Sequence, residues 1–438
     1  MKEIYVNDLL HSMPGTPVVL PCWLAAKQRH GGILFLTLHD SSGNIQAVAE
    51  KENIDPKAFD ELKRVPLESG VVVYGTLITA PNDGVEIQLQ KLEVVGSATQ
   101  QFCPQPRSDI DIFSPSLTNH LLTNRHVYLR NQKVIAIMQF RDALTHHMRQ
   151  WFHENRFCAF DAPILTPVPL YDDGSALNID VHGEHVFLTQ CVGYYLEAGV
   201  HALERVYNMG PSFRGEESRS KRHLMEYWHI KAEAAWGNIE DVIAMIEEIF
   251  DYLTKACREE GEKAAAILGT SYCQDGLLGP FSRISYREAV AVLNEMGHPF
   301  SFGTSLSSQE EEILSKRFTG PFWITGIPHS IEPFPYCIHP DDPEVTQVAD
   351  LIASNGFGEL LGVAEKIYRL DELDRRMMDK NKLGNPRYEF IREIHASGCV
   401  PHIAFGMGLE RLIRWMLNIP HVRDAVAFPR IFKRSIAP

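Results

Sequence analysis

No CxxC pair joins any two of the eight cysteines, which stand at Cys22, Cys103, Cys158, Cys191, Cys257, Cys273, Cys337 and Cys399. Such scatter argues against a zinc knuckle and a disulfide framework, and free thiols point to a cytoplasmic protein. No apolar run approaches the roughly 20 residues that span a bilayer. The opening MKEIYVNDLLHSMPG has early acids and no apolar core, which speaks against a secretory signal. GxxxxGK[ST] is missing, and no GxGxxG opens a helix after a strand, so the usual phosphate loops are absent. Positive charge is also scarce: 42 Lys and Arg against 56 Asp and Glu give a formal net charge of -14. A general nucleic-acid binder is therefore not expected, and any RNA contact must be a local basic patch on an acidic body.

What is present is ordinary for a soluble enzyme, with 45% hydrophobic and 22% charged residues. A chain of 438 residues implies two or three domains. Residues 1–98 hold five β-branched, often alternating segments separated by Gly, Asp and Ser turns: TPVVLPCWLAA, GGILFLTLHD, GNIQAVAE, SGVVVYGTLITA and GVEIQLQKLEVV. Five short strands in that space predict a small closed barrel. Residues 99–130 are rich in Gln, Pro, Ser and Asn and read as a linker. The second domain, 131–438, opens with a helix from about Val134 to Asn155, whose apolar face includes Ile137, Phe140, Leu144, Met148 and Phe152. FCAFDAPILTP follows as a strand stopped by prolines, and a further helix is expected from Ile239 to about Glu260. Strands return from Gly320, and the chain ends near a helix over Leu409–Leu417. Irregular alternation of the two element types predicts α+β with a mostly antiparallel sheet.

Two stretches carry chemistry. RVYNMGPSFRGE and HLMEYWHIKAEAAW read as two strands joined by the polar loop Glu217–Arg222, which holds Arg219, Lys221 and Arg222. Strand parity puts Arg214 with Glu216 on one face, and His223, Tyr227, Lys231 and Glu233 together on the other strand. Such a face offers cations for phosphates, a ring for a base and a carboxylate for an amine or metal. The bland alternative is a solvated hairpin with surface ion pairs. In PHIAFGMGLERLIRWML, Gly406 and Gly408 precede an amphipathic helix whose apolar face leaves Arg411 elsewhere.

Together these stretches resemble the motifs of class II aminoacyl-tRNA synthetases, in the aspartyl/asparaginyl subgroup. FRGEESRSKRHLMEY matches the second motif, GMGLERLIRWMLNIPHVRDAVAFPR the third, and Pro163 fits the first, which builds the family's dimer interface. The match is collinear over nearly the whole chain. It implies an N-terminal anticodon-binding OB-fold, an antiparallel six-stranded catalytic core and a homodimer. It also implies ATP, Mg2+, an amino acid and tRNA as ligands. By match, Arg214 holds the α-phosphate with Glu216 beside it. Arg222 and His223 meet the outer phosphates, Tyr227 stacks on adenine, and Gly408 and Arg411 complete the ATP site. Glu359 holds Mg2+ with Asp350 as helper. Asp173, Gly193, Lys231, Glu233 and Lys366 fall at the amino-acid end. In the barrel, Phe35, Gln46 and Glu86 stand where an anticodon base is read, with Arg29 near. The alternative for Phe35 is barrel core.

YYLEAGV, GFGELLGVAEKI and VPHIAFGMG are closest to the asparaginyl type. Three positions depart from it: Cys191-Val192-Gly193 replaces Ser-x-Gln, Lys231 replaces the acid that reads the amide, and Lys366 replaces an arginine. His39 stands for an arginine of the anticodon face. A lysine cannot accept from an amide NH2. Two ammonium groups near one pocket repel unless an anion or a protein carboxylate lies between them. Three readings follow: an asparaginyl-tRNA synthetase, a paralogue that activates another amino or carboxylic acid for a different acceptor, and a non-catalytic binder of nucleotide or RNA. Retention of the phosphate-site residues speaks against the third.

Overall fold

A computed structural model describes residues 1–81, 83–169, 174–218, 220–272 and 279–436. The chain divides into two compact units, residues 1–135 and 136–438. Five strands build the first: β1 (Pro17–His30), β2 (Ile33–Asp40), β3 (Gly43–Glu50), β4 (Gly70–Thr79) and β5 (Val85–Gly96). They close as a barrel in the order β1-β2-β3-β5-β4. Period-two alternation explains the closure, because every second residue points inward. Leu20, Leu36, Leu38, Ala47, Val73, Leu77 and Ile87 are fully buried in the barrel core. Between β3 and β4 the helix Pro56–Arg64 starts with Pro56 at its first turn, and Asp55 accepts from the N–H groups of Lys57 and Ala58. That helix plugs the barrel with Phe59 and Leu62. Residues 99–130 contact the barrel through Arg107, which pairs with buried Glu68 and lies over the Trp23 ring.

The second unit is an eight-stranded sheet with helices packed on it. Its strands are β6 (Cys158–Ala159), β10 (Arg205–Phe213), β11 (Glu226–Ala235), β12 (Ser282–Ser285), β13 (Phe322–Thr325), β14 (Val348–Ala353), β15 (Gly358–Lys366) and β16 (His402–Gly408). Three further strands, β7 (Leu165–Thr166), β8 (Asn178–Val181) and β9 (Glu184–Leu188), form a small sheet of their own. The large sheet runs β12-β13-β14-β15-β16-β11-β10-β6. The six central strands from β13 to β10 are all antiparallel, and the edge strands β12 and β6 join in parallel. The long helix Gln132–Glu154 buries Val134, Ile137, Phe140, Leu144, Met148 and Phe152, the stripe its period requires. Phe152 stacks on Tyr207 of β10 with ring centroids 4.1 Å apart.

Two expected elements differ. FCAFDAPILTP is not one strand: Cys158–Ala159 joins the large sheet and Leu165–Thr166 the small one. Pro163 lies between them and has no N–H to continue a ladder. The helix from Ile239 stops at Ala256, and a second, Arg258–Leu268, follows Cys257. Its start is as expected: Asn238 caps it, in a reciprocal box with Asp241.

Candidate active site

The hairpin β10–β11 crosses the sheet beside β16, and one face of β11 is open to a cavity of about 400 Å3. The strands end at Phe213 and begin at Glu226, so the connecting loop is longer than Glu217–Arg222. Arg214, Glu216 and His223 therefore sit on the loop, and strand parity does not govern them. For Tyr227 and Lys231 it does, and both line the cavity together with His229 between them. Arg214, Arg222, His223, Asp350, Glu359, Gly408 and Arg411 complete its polar wall. Sheet topology explains this gathering: β11, β14, β15, β16 and the helix Leu409–Met416 converge on one cavity. Glu216 stays outside, half exposed, and lines an adjoining hollow with Arg214, Ser218 and His223. Asp173 and Arg219 lie outside the described residues.

Cations dominate one end. Arg214 stands over the Tyr227 ring at 5.8 Å. Arg222 makes a bidentate pair with Glu311, one of its bonds being 3.0 Å. Arg411 donates to the Glu359 carbonyl at 3.0 Å and pairs with its carboxylate at 3.1 Å. Burial pushes the Glu359 carboxyl up, but Arg411, Arg222 and Arg214 outweigh it and hold the group at about 2. Burial, reinforced by the same three arginines, lowers His223 to about 4. At neutral pH His223 is thus a neutral hydrogen-bonding group, with Ser218 and Ser220 hydroxyls 2.7 and 2.8 Å from its Nδ1. His229 is likewise held neutral by burial and by Lys231, Arg214 and Arg411.

Acids stand beside the arginines. Asp350 on β14 and Glu359 on β15 both line the cavity. Burial and the charge of Glu359 keep the Asp350 carboxyl well above its usual range. Glu332, also on the wall, is raised to about 7 by burial and by Glu359. Among the described residues, no cluster of three acids, histidines or cysteines could hold a metal by itself. Two mutually repelling carboxylates at a polar wall do suit Mg2+, which takes one or two protein carboxylates and fills the rest with phosphate oxygens and water.

The amino-acid end is a buried ionic cluster. Lys231, 5% exposed, lines the cavity. Gly406 on β16 makes room for it: a Cβ there would come within 2.9 Å of Lys231 Cε and 2.8 Å of His229 Nε2. Glu233 and Lys366 lie behind that wall. Lys366 Nζ donates to Glu197 at 2.6 Å and Glu233 at 3.2 Å. Burial raises Glu233 to about 7 despite Lys366, while Lys366 and the neighbouring histidines overcome burial and hold Glu197 at about 2. Gly193 begins the helix Gly193–Leu203, and a Cβ on it would lie 3.6 Å from Lys231 Nζ and 3.9 Å from Glu233 Oε1.

On the barrel, Phe35 is half-buried between Leu34 and Leu36, which point into the core. It pairs in register with Val48, and Thr37 with Gln46, so Phe35 and Gln46 share the outer face. Gln46 donates to Glu86 at 2.8 Å, and Arg29 is exposed. His39 is buried against Asn44, and burial lowers its pKa, so it adds no charge to that face. Glu311, Glu332, Tyr336, Ser305 and His229 carried no motif signal. His229 alone was within reach of parity, as the residue between Tyr227 and Lys231 on one face.

A closed OB-like barrel, a six-stranded antiparallel core and a cavity walled by arginines and carboxylates define a synthetase of the second class. The chain belongs to the tRNA synthetases class II (D, K and N), whose family model matches residues 118–431, with an OB-fold nucleic acid binding domain over 18–95. It is 33% identical over 438 residues to the asparagine–tRNA ligase of Thermococcus kodakarensis, covering 98% of each chain. With that of Pelotomaculum thermopropionicum it shares 35% identity over 437 residues, 99% of each. The asparaginyl-tRNA synthetase of Pyrococcus horikoshii, solved with asparaginyl-adenylate, superposes with a TM-score of 0.93 at 31% identity, over 99% of each chain.

Proposed function

We propose that the protein activates an amino acid with ATP and transfers it to tRNA, in the manner of an asparaginyl-tRNA synthetase. The observation that carries this reading is the convergence of Arg214, Arg222, His223 and Arg411 on one wall of a cavity that Tyr227 and Lys231 also line. A substrate carboxylate oxygen attacks the α-phosphorus of ATP, the new P–O bond forms and pyrophosphate leaves. Arg214 stabilises the charge that builds on the α-phosphate. Arg222 and Arg411 hold the outer phosphates with His223 as a neutral donor, Gly408 lets the backbone approach, and Tyr227 packs on the base. Glu216 steadies Arg214. Glu359, helped by Asp350, would hold Mg2+, which when bound neutralises polyphosphate charge. A tRNA ribose hydroxyl then attacks the adenylate carbonyl and AMP departs.

Lys231 reads the side chain of the substrate. Glu233 and Lys366 support it from behind, and Gly193 and Asp173 bound the same end. Phe35, Gln46, Glu86 and Arg29 contact the anticodon from residues 1–98, the unit joined by 99–130 to the catalytic part, 131–438. The active form is a homodimer, supported by Ile164 and Leu165, which stay 40% and 47% exposed beside Pro163. The protein acts in the cytoplasm on this reading; among the described residues no helix is long and apolar enough to cross a membrane.

A second reading is favoured by Lys231: an adenylate is made from a different acid, for an acceptor other than tRNA. ATP–pyrophosphate exchange across a panel of amino acids, followed by tRNA charging, separates the two. Asparagine-dependent exchange and charging are expected. Exchange with another acid and no charging favours the second reading, and no exchange with any acid removes both.

A further inference from the structure

Resting on the ATP reading above, we infer that Glu311 is a positioning residue that holds Arg222 and Glu359 in the geometry that receives polyphosphate. Glu311 lies on the short helix Ser308–Ser315, far in sequence from every motif that suggests the site. Its carboxylate takes two bonds from the Arg222 guanidinium and a third, at 2.9 Å, from the Glu359 backbone N–H. A single buried carboxylate thereby fixes the hairpin loop to the start of β15. The ring closes on the other side. Arg411 donates to the Glu359 carbonyl at 3.0 Å and reaches the Arg222 carbonyl at 3.5 Å. Four residues from four separate segments are thus tied together around one edge of the cavity.

Both partners in the pair are nearly sealed from water, with 9% of the Arg222 side chain and 4% of Glu311 exposed. Paired in this way, the guanidinium is planar and oriented before any ligand arrives, which spares it the rotamer entropy of a surface arginine. Arg222 Nη1 and Nη2 are taken by Glu311, while its Nε has no partner. A buried donor left in that state is costly unless a ligand or water meets it. The site therefore presents an arginine that is anchored through one edge and incomplete at the other.

Gly358 is part of the same device. Its φ is +78°, a conformation other residues rarely adopt, and a Cβ there would lie 2.5 Å from Arg222 Nη1 and 2.7 Å from Glu311 Oε2. Any side chain would displace the pair. Glu311→Gln and Gly358→Ala should consequently share one phenotype although only one of them alters a charge.

The test uses the full chain and measures Mg·ATP binding by calorimetry alongside exchange kinetics. Glu311→Gln is expected to weaken Mg·ATP binding and raise the exchange KM for ATP by about tenfold or more, the loss of one oriented charged hydrogen-bond set. The KM for the amino acid should stay unchanged. In an Arg222→Met background, Glu311→Gln should add clearly less than it costs alone, because two of its three bonds run to Arg222. Gly358→Ala should follow Glu311→Gln. Additive losses in the double variant, or an unchanged ATP affinity in Glu311→Gln with the fold intact by circular dichroism, overturn the inference. Because binding is read without any acid, a parent that binds Mg·ATP but exchanges with none defeats the activation reading alone. A parent that does not bind Mg·ATP defeats both.

Discussion

Lys366 donates to Glu233 across 3.2 Å, so the cation that the sequence puts at the substrate pocket is engaged inside the protein. Its stronger bond is to Glu197, at 2.6 Å, and all three side chains are buried. The two lysines at this end, Lys231 and Lys366, coexist because protein carboxylates lie among them. No substrate anion is needed to relieve their repulsion. Losing one partner of such a cluster strands the others. Lys366→Met should destabilise the protein by about 3–5 kcal/mol. Denaturant unfolding measures this, and Lys366→Met with Glu233→Gln should recover part of the loss, since the second change removes one of the orphaned charges. Equal stability in the parent and Lys366→Met would mean the cluster is solvated.

On the proposed mechanism, the activation chemistry depends on Arg214. Replacement by Ala should lower amino-acid-dependent exchange by about 100-fold or more, as for loss of one preorganised charge-stabilising donor. The fold should survive, since 30% of the Arg214 side chain is exposed. Full exchange in this variant would remove Arg214 from the mechanism.

Much of this was legible beforehand, and the reasons differ by element. Barrel strands announce themselves because Leu34, Leu36 and Leu38 alternate with outward residues, a period no helix shares. The arginine wall of the cavity was legible because Arg214, Arg222 and Arg411 lie within recognisable stretches. Glu311 and Glu332 were not, since each reaches the cavity only through long-range packing of segments whose own pattern says nothing about it. The two-residue strands Cys158–Ala159 and Leu165–Thr166 are too short for periodicity to resolve. Charge at Glu233 was legible, but not that Lys366 would claim it.

Acid should unfold the protein through the same cluster. His402 is held neutral at about 3, mainly by burial, against an ordinary 6.5, so the unfolded chain takes up a proton first as pH falls below 6.5. Glu197, held at about 2 against 4.5, adds a second loss of stability as pH falls below 4.5. Glu233, raised to about 7, acts in the opposite sense, costing stability as pH rises from 4.5 towards 7. The unfolding midpoint should therefore drop most steeply below 4.5, where Glu197 joins His402 and Glu233 no longer offsets the histidine. His402→Gln should leave Glu233 unopposed, so that stability rises as pH falls from about 7 to 4.5, and should lessen the fall below 4.5. An unaltered pH profile in that variant would show that His402 carries none of it.

If the barrel reads an anticodon, Phe35→Ala should weaken tRNA binding by about 1–3 kcal/mol, the cost of one stacking platform. Exchange should not change, because Phe35 belongs to the first unit and the cavity to the second. Stability should change little, as Phe35 points away from the core that Leu34 and Leu36 fill. Undiminished tRNA binding would move the contact off the β2–β3 face.

On the proposed reading, Lys231 is the position where the side chain of the substrate is decided. It lines the cavity, and Gly406 leaves the space its chain occupies. An ammonium donates and never accepts, so it can meet the oxygen of an amide or of a carboxylate but not an amide NH2. Between those two oxygens it favours the charged one, because the Coulomb attraction of opposite charges adds to the hydrogen bond. Lys231→Gln removes that bias and keeps a partner that both donates and accepts. The ratio of exchange with asparagine to exchange with aspartate should then rise by about fivefold to tenfold, the worth of one charge-assisted bond over a neutral one. Mg·ATP affinity should hold constant, which separates a change in selection from damage to the phosphate wall. Lys231→Glu should behave differently again: it would put an acid beside Glu233, which burial already raises to about 7, and so favour protonation of one of the pair. That variant should regain exchange with asparagine only towards lower pH. A ratio that does not move in either variant would mean the ammonium is held entirely by the protein, and that asparagine is read by groups elsewhere on the wall, with Glu332 and Tyr336 the next to replace.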